Sequence, residues 1–446
     1  MASPQELRRA LTFVPSYALV VGGMLGTGVY LRSALMAQQV GSAALVLAAW
    51  AAAGVLSMAG ALTYAELASR VPATGGEYAF LRETFGPRWA FLYGWTRIIV
   101  GSASQAAVAV GFATFLSSLS ADLMPFRTPL AVAAVVLLTA LNCLGVVAGG
   151  RAQTVLTAAK VIAIAGLVGG ALALSPVVPI RDLISTHGAE APSMAAFGAA
   201  MVGALWAYAG WANLPMAAGE VVDPARTLPR AIVAGTLTVT VIYLLVNATY
   251  FLVLPFEEVA SSSSVAHPDA PAVGARAAQA FLGPAATSAL LVAFAVSAFG
   301  TLNGMLLTTA RIGFAMARDG WLPAPIGAVA ARSAAPVAAL VGLGLLTVVL
   351  VTAGSLDRLA TGATLGYWVF HVLCGSALFV LRSRGPEAPP PAFRVPGYPV
   401  VPGVFVGSGV LLIAASLWTT PVEAAWVAAV IAAGVVASHL FRRKLD

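Results

Sequence analysis

Residues 22–28, Gly22-Gly23-Met24-Leu25-Gly26-Thr27-Gly28, put four glycines into seven positions in the middle of an apolar segment. Gly26 and Gly28 flank a hydroxyl residue and free the backbone from helical geometry at low steric cost. Unwound backbone at membrane depth persists only where protein or an aqueous cavity satisfies its polar groups. A half-helix beginning after Gly28 would aim unpaired N–H groups and a positive dipole end at the break, which suits a carboxylate. A second interruption, Leu205-Trp206-Ala207-Tyr208-Ala209-Gly210-Trp211-Ala212-Asn213-Leu214-Pro215, crowds three aromatics, a glycine, an asparagine and a proline into another apolar segment. A half-helix ending near Trp206–Tyr208 would offer unpaired carbonyls, which suit an ammonium group. The two ends together match a zwitterionic α-amino acid.

Each motif has a plainer reading. Gly22-x-x-x-Gly26 is a small-xxx-small pattern, and alone it would be read as a helix-packing face. The second stretch alone would be a kink filled by bulky side chains. What points to a site is their placement, in the first helix of each half of the chain, because paired interruptions mark the binding site of inverted-repeat carriers. A dinucleotide fingerprint is excluded, since no strand precedes the glycines and their spacing is reversed. Lys160, in TVLTAAKVIAIAGLVGG, is either a functional cation at depth or a side chain snorkelling to the interface about two turns away. Arg97 reads as a snorkelling or structurally paired residue, Glu66 and Glu220 as structural ion partners, and His371 as a lone, packed, neutral histidine. The segments expected to line the site carry no Asp or Glu at depth. That favours a neutral substrate over a cationic one, although backbone carbonyls could still serve a cation.

These residues are positioned by a chain that is 60% hydrophobic and 9% charged over 446 residues, against about a quarter charged in soluble domains. Runs of the roughly 20 apolar residues that cross a bilayer fall near 12–37, 41–68, 88–119, 128–149, 153–175, 194–219, 230–254, 279–314, 334–353, 357–381, 400–419 and 421–441. The expected fold is therefore an all-α integral membrane protein of twelve transmembrane helices, with the first and sixth discontinuous. Of 24 Lys and Arg, 17 lie on one side when the N-terminus is placed in the cytoplasm, and five (Arg32, Arg127, Arg181, Arg276, Arg358) on the other. This asymmetry puts both termini inside. The longest external connections are 176–193 and 255–278, and a proline-stiffened linker, RSRGPEAPPPAFRVPGYPVVP, separates the first ten segments from the last two. The net charge of +7 comes from scattered single residues without a basic stripe, so no nucleic-acid partner is expected. Cys143 and Cys374 both lie in apolar segments, so neither a disulfide framework nor a thiolate metal site is expected. MASPQELRRA carries no small-residue cleavage site, so a removable leader is not expected. HExxH and paired intramembrane carboxylates are missing, which argues against a membrane-embedded enzyme; no cofactor or metal is expected.

Several blocks together resemble the amino acid–polyamine–organocation (APC) superfamily, and within it most nearly the L-type amino-acid transporter branch and its bacterial relatives. They are GGMLGTGVY; Ala65-Glu66-Leu67 with Pro72-Ala73-Thr74-Gly75-Gly76-Glu77-Tyr78 and Phe85-Gly86-Pro87; WAYAGWANLP with Glu220 and Asp223-Pro224-Ala225-Arg226-Thr227-Leu228-Pro229-Arg230; Phe299-Gly300-Thr301-Leu302-Asn303-Gly304 with Arg311 and Arg318-Asp319-Gly320-Trp321-Leu322-Pro323; and FRVPGYPVVPGV. The resemblance implies a leucine-transporter-like fold of two inverted five-helix repeats, here 12–175 and 194–381, plus accessory helices over 400–441, all in one transmembrane domain. It implies that Gly26, Thr27 and Gly28 bind the substrate carboxylate, that Trp206 is the outer gate, and that carbonyls near Trp206, Ala207 and Gly210 hold the amine. Lys160 matches the lysine that stands where sodium-coupled relatives hold a sodium ion. Tyr250 is the candidate for a helix 7 tyrosine at the substrate site, and Ser297, Thr301 and Ala209 are candidates for the pocket wall. The implied activity is sodium-independent transport of neutral L-amino acids across the cell membrane, as an exchanger if Lys160 stays charged. If Lys160 releases its proton, a proton-coupled symporter is implied instead; a cationic amino-acid or polyamine carrier is the remaining alternative. The sequence departs from the family at Gly210-Trp211-Ala212, where an asparagine is usual in place of Ala212, so no amide role carries over to Asn213. SSLSADLMPFR lacks the cysteine by which animal members attach a heavy chain, so no disulfide-linked partner is expected.

Overall fold

A computed structural model describes residues 6–174, 193–264, 270–283, 285–353, 356–385, 390–419 and 421–442. The external connection expected over 176–193, apart from Ser193, lies outside these residues, as do Arg181, Arg443 and Lys444. The first apolar segment forms two helices, α1 (Phe13–Met24) and α2 (Gly28–Val40). There follow α3 (Ala43–Arg70), α4 (Glu77–Phe85), α5 (Pro87–Ser117), α6 (Arg127–Cys143), α7 (Val146–Leu174) and α8 (Met194–Ala207). The chain continues through α9 (Pro224–Val253), α10 (Phe256–Ala260), α11 (Val273–Leu282), α12 (Ala285–Arg318), α13 (Val337–Ala353), α14 (Leu356–Ser383), α15 (Val400–Thr419) and α16 (Pro421–Arg442). Among the described residues there is no strand, only a bridge between Leu11 and Val221. Among the described residues ten helices, counting α1 and α2 as one, are long and apolar enough to cross a membrane; α8 and α13 are shorter apolar helices.

Local chemistry sets the boundaries. Gly41 adopts the left-handed conformation (φ 61°) that closes α2, a conformation glycine reaches without a Cβ penalty. Asp223 turns the chain and Pro224 opens α9 at its first position, where the missing N–H costs nothing. That advances the start expected at residue 230. The expected eighth segment, 279–314, is divided instead: α11 ends at Leu282, Gly283 has φ +56°, and α12 runs from Ala285 to Arg318. The short helix α4 was not expected, since nine residues are too few for an apolar period to register.

The helices sort their faces as a lipid-solvated bundle requires. In α7, Gln153, Thr157, Lys160, Ile164, Leu167 and Ala171 form one buried stripe at helical spacing, while Val155 and Ile162 are exposed on the opposite side. Exposed apolar residues on so many long helices match a hydrocarbon surrounding. Helices of the first half lie against helices of the second: α2 on α8, α3 on α9, α5 on α12 and α6 on α13. Short α1 is surrounded by α7, α9 and α12. The glycine-rich break therefore sits in the middle of the molecule.

Candidate functional site

The break in the first segment spans Leu25–Thr27. Leu25 N–H donates to Val21 O at 2.8 Å, but Gly26 N–H turns back to Met24 O at 2.7 Å. Helical bonding resumes only where Tyr30 N–H reaches Thr27 O at 3.1 Å. The N–H groups of Gly28 and Val29 therefore open α2 without an intrahelical acceptor. A Cβ on Gly26 would meet nothing nearer than Met24 O at 3.9 Å, so this residue borders open space. Gly28 is close-packed instead, since a Cβ there would lie 2.8 Å from Ala207 Cβ and 3.3 Å from Trp206 Cζ3. Gly22 abuts Gln153 and Thr157 of α7, so it does serve helix packing, whereas Gly26 does not.

Buried carbonyls must find donors, and those released by the break find them on three helices. Lys160 Nζ donates to Gly22 O at 2.7 Å, Leu25 O at 2.9 Å and Thr301 Oγ1 at 3.0 Å, which uses all three of its N–H groups. Lys160 is 2% exposed, so it does not snorkel. Ser297 Oγ adds a second donor to Leu25 O at 2.9 Å, and Thr301 Oγ1 donates on to Ser297 O at 3.0 Å. Ser297 and Thr301 thus join the group around Lys160.

The second interruption also appears, narrower than the expected continuous segment 194–219. Helix α8 stops at Ala207 and a 3-10 helix runs over Leu214–Glu220. Between them Gly210 has φ +132°, and a Cβ there would fall 2.7 Å from Gly23 O. The two breaks are therefore in backbone contact. Tyr243 of α9 stitches them: its hydroxyl lies 2.6 Å from Met24 O and 3.0 Å from Ala207 O. The carbonyls of Trp206 and Gly210 accept from Ala209 N–H (3.2 Å) and Asn213 N–H (3.1 Å), and each keeps a second lone pair for a further donor. Trp206 is 38% exposed, with the Arg32 guanidinium 4.4 Å from its ring centroid.

Tyr250 lies elsewhere. It is fully buried, its hydroxyl has no hydrogen-bond partner among the described residues, and it sits against Gly274. Tyr243, two helical turns earlier, is the hydroxyl brought to the breaks. The two tyrosines share one face of α9, and no local signal separates them; only the depth of the break does. Removing the Tyr243 hydroxyl should leave Met24 O or Ala207 O short of a donor, at a cost of about 1–3 kcal/mol. Tyr243→Phe is expected to lower the melting temperature in detergent and slow substrate uptake, and unchanged values for both would contradict this assignment.

Three further polar groups differ from expectation, and a fourth, Arg97, takes one of its two expected roles. His371 is not alone: its Nδ1 is 2.8 Å from Glu77 Oε1 and 2.9 Å from Tyr64 OH. Glu77 also accepts from the Tyr93 hydroxyl at 2.6 Å. This buried carboxylate comes from α4, which explains why the lining helices looked free of acid. Arg97 is structurally paired, one of its two expected outcomes, and does not snorkel: its NH2 donates to Asn213 Oδ1 at 2.7 Å and its guanidinium lies 4.1 Å from the Tyr367 ring centroid. Asn213 thus has an amide role after all, linking the second break to α5.

Glu66 and Glu220 are ion partners as expected. Glu66 meets Arg70 at 2.8 Å and Arg382 at 2.5 Å. Glu220 pairs with Arg311 at 2.7 and 2.9 Å, both side chains fully buried. Its carbonyl accepts from the N–H groups of Ala10 and Leu11 at 2.8 Å each. The start of α1, the end of the second interrupted segment and α12 are thereby tied together. Beside them Asp319 accepts from Arg82 at 2.6 Å and Tyr78 at 2.7 Å, and that bond holds the Arg82 guanidinium above its ordinary pKa.

An amino acid permease family model matches residues 11–438. The chain is 30% identical to the serine/threonine exchanger SteT of Bacillus subtilis over 416 residues, covering 93% of this chain and 92% of that one. It is 30% identical over 430 residues to the mouse b(0,+)-type amino acid transporter 1 (94% and 84% covered), and 28% identical over 447 residues to the human cystine/glutamate transporter (98% and 86%). A match over almost the full length, on a bundle of apolar membrane-length helices with two facing breaks, identifies the chain as a multi-pass membrane protein of the amino acid permease family, within the APC superfamily.

Proposed function

We propose that this protein is a sodium-independent secondary transporter of neutral L-amino acids that works by alternating access and exchanges one substrate for another. The observation that carries the reading is the tether of Lys160 to the Gly22 and Leu25 carbonyls. A cation built into the chain and fully bonded occupies the underside of the break, where the resemblance places sodium in sodium-coupled carriers. The substrate carboxylate then meets the N–H groups that open α2, and its ammonium meets the spare lone pairs of Trp206, Ala207 and Gly210. Trp206, against Gly28, closes the site from outside. Tyr250 and Ser297 serve it indirectly, the first behind α2 and the second through Leu25 O.

The same reading takes α8 and α13 as spans, giving twelve, with both termini cytoplasmic in the cell membrane. The pairing of α2, α3, α5 and α6 with α8, α9, α12 and α13 supports two inverted repeats over 12–175 and 194–381, with 400–441 as accessory helices. Exchange is favoured by the likeness to one relative, a serine/threonine exchanger. The chain is proposed to act without a disulfide-linked heavy chain.

Purified protein in proteoliposomes tests this. Uptake of labelled L-alanine should rise strongly when unlabelled amino acid is trapped inside and should not change when choline replaces sodium. Uptake that needs sodium, or that ignores internal substrate and follows an inward proton gradient, would overturn exchange.

A further inference from the structure

Arg32, one of the five basic residues expected on the external side, sits at the mouth of the site. It lies in α2 four residues beyond Gly28, so it projects from the same helix face one turn further out, a rise of about 6 Å. Its guanidinium carbon is 4.4 Å from the Trp206 ring centroid, and the edge of that ring faces Gly28. Among the described residues no carboxylate pairs with Arg32. The positive charge is therefore held against an electron-rich ring and, among the described residues, is compensated by no acid.

An exposed indole face beside a binding site is itself a receptor for cations. Here that face is already taken by a cation of the protein. A substrate bearing a second positive charge would have to displace Arg32 or lie beside it. Two more basic side chains surround the breaks, Lys160 on the Gly22 and Leu25 carbonyls and Arg97 on Asn213. The buried carboxylate that could offset them, Glu77, is engaged by Tyr64, Tyr93 and His371. Like charges brought together in a partly desolvated site repel far more strongly than in water. A neutral side chain meets none of this resistance.

We propose that Arg32 is the residue that sets charge selectivity: by occupying the Trp206 face it excludes amino acids with cationic side chains. This rests on the amino-acid transport proposed above and names the residue that limits it to uncharged side chains.

Arginine and citrulline, nearly equal in shape but different in charge, separate the possibilities when each competes with labelled L-alanine for uptake by the full chain in proteoliposomes. In the wild type, citrulline should compete at least about tenfold better than arginine, the size of effect expected of one unfavourable charge contact. Arg32→Gln should shrink that ratio by about tenfold, and Arg32→Lys, which keeps the charge, should preserve most of it. A residue that merely held the indole in place would shift both competitors alike and leave the ratio unchanged, which would overturn the proposal. Equal competition by arginine and citrulline in the wild type would overturn it without any variant. If labelled alanine is not taken up at all, the transport reading itself falls; if alanine is carried and only the ratio fails, Arg32 alone is misassigned.

Discussion

Lys160→Ala is expected to cut amino-acid exchange by about 100-fold or more while leaving the chain inserted in the membrane. The substitution strips Gly22 O of its strongest donor and leaves Leu25 O with Ser297 alone. A hydrogen bond to a charged group contributes about 1.5–3 kcal/mol, two of them are lost, and about 1.4 kcal/mol corresponds to a factor of ten in rate. The break would then relax toward some other set of hydrogen bonds, and the N–H groups that open α2 would lose their aim. Because Lys160 also holds Thr301 of α12, the loss detaches α1 from a neighbour as well as distorting it. Insertion depends on the apolar segments and should survive. Uptake in proteoliposomes, with size-exclusion profiles in detergent, measures both. Wild-type exchange by Lys160→Ala would show that the ammonium is not part of the working site.

Gly210→Ala is the second large effect. At φ +132° a residue with a Cβ is strained by about 1–3 kcal/mol. Its Cβ would also press on Gly23 C and O at 2.7 Å and Met24 N at 2.9 Å, which are backbone atoms that cannot step aside. The two breaks must separate, and with them the halves of the carboxylate and ammonium sites. Transport is expected to fall below detection, with a lower melting temperature. Gly198→Ala, in α8 where a Cβ meets nothing within 4 Å, should leave both close to wild type. If Gly210→Ala behaved like Gly198→Ala, the contact between the breaks would not be needed for function.

How much of this was legible in the sequence depends on the range of the interaction concerned. Apolar length is a local property: among the described residues ten of the marked segments correspond to membrane-length helices, including the first with its split at Leu25–Thr27, while 194–219, broken near Tyr208–Asn213, and 334–353 hold shorter apolar helices. The Glu66 and Glu220 ion pairs were also anticipated, since a carboxylate at a helix end among arginines has few other outcomes. Failures came where distant parts of the chain meet. Glu77 and His371 are 294 residues apart, and neither position alone announces the other. The choice between Tyr243 and Tyr250 turned on depth along a single face of α9, which periodicity cannot resolve. The register of Asn213 differs from the family pattern, yet its side chain reaches Arg97 from that position. Helix α4 escaped notice because it follows the Pro72–Gly76 turn and carries Glu77, Arg82 and Glu83, a mixture that reads as a polar connection.

The account stands on one claim, that the two facing breaks recognise both charged ends of an α-amino acid. Competition of labelled L-alanine binding to the purified protein by L-alanine, L-alaninamide and L-lactate tests it most directly, because the last two each lack one end. The helix termini predict displacement by L-alanine, at least about tenfold weaker displacement by either analogue, and loss of L-alanine binding in Gly210→Ala. Equal displacement by L-alaninamide or L-lactate would contradict it.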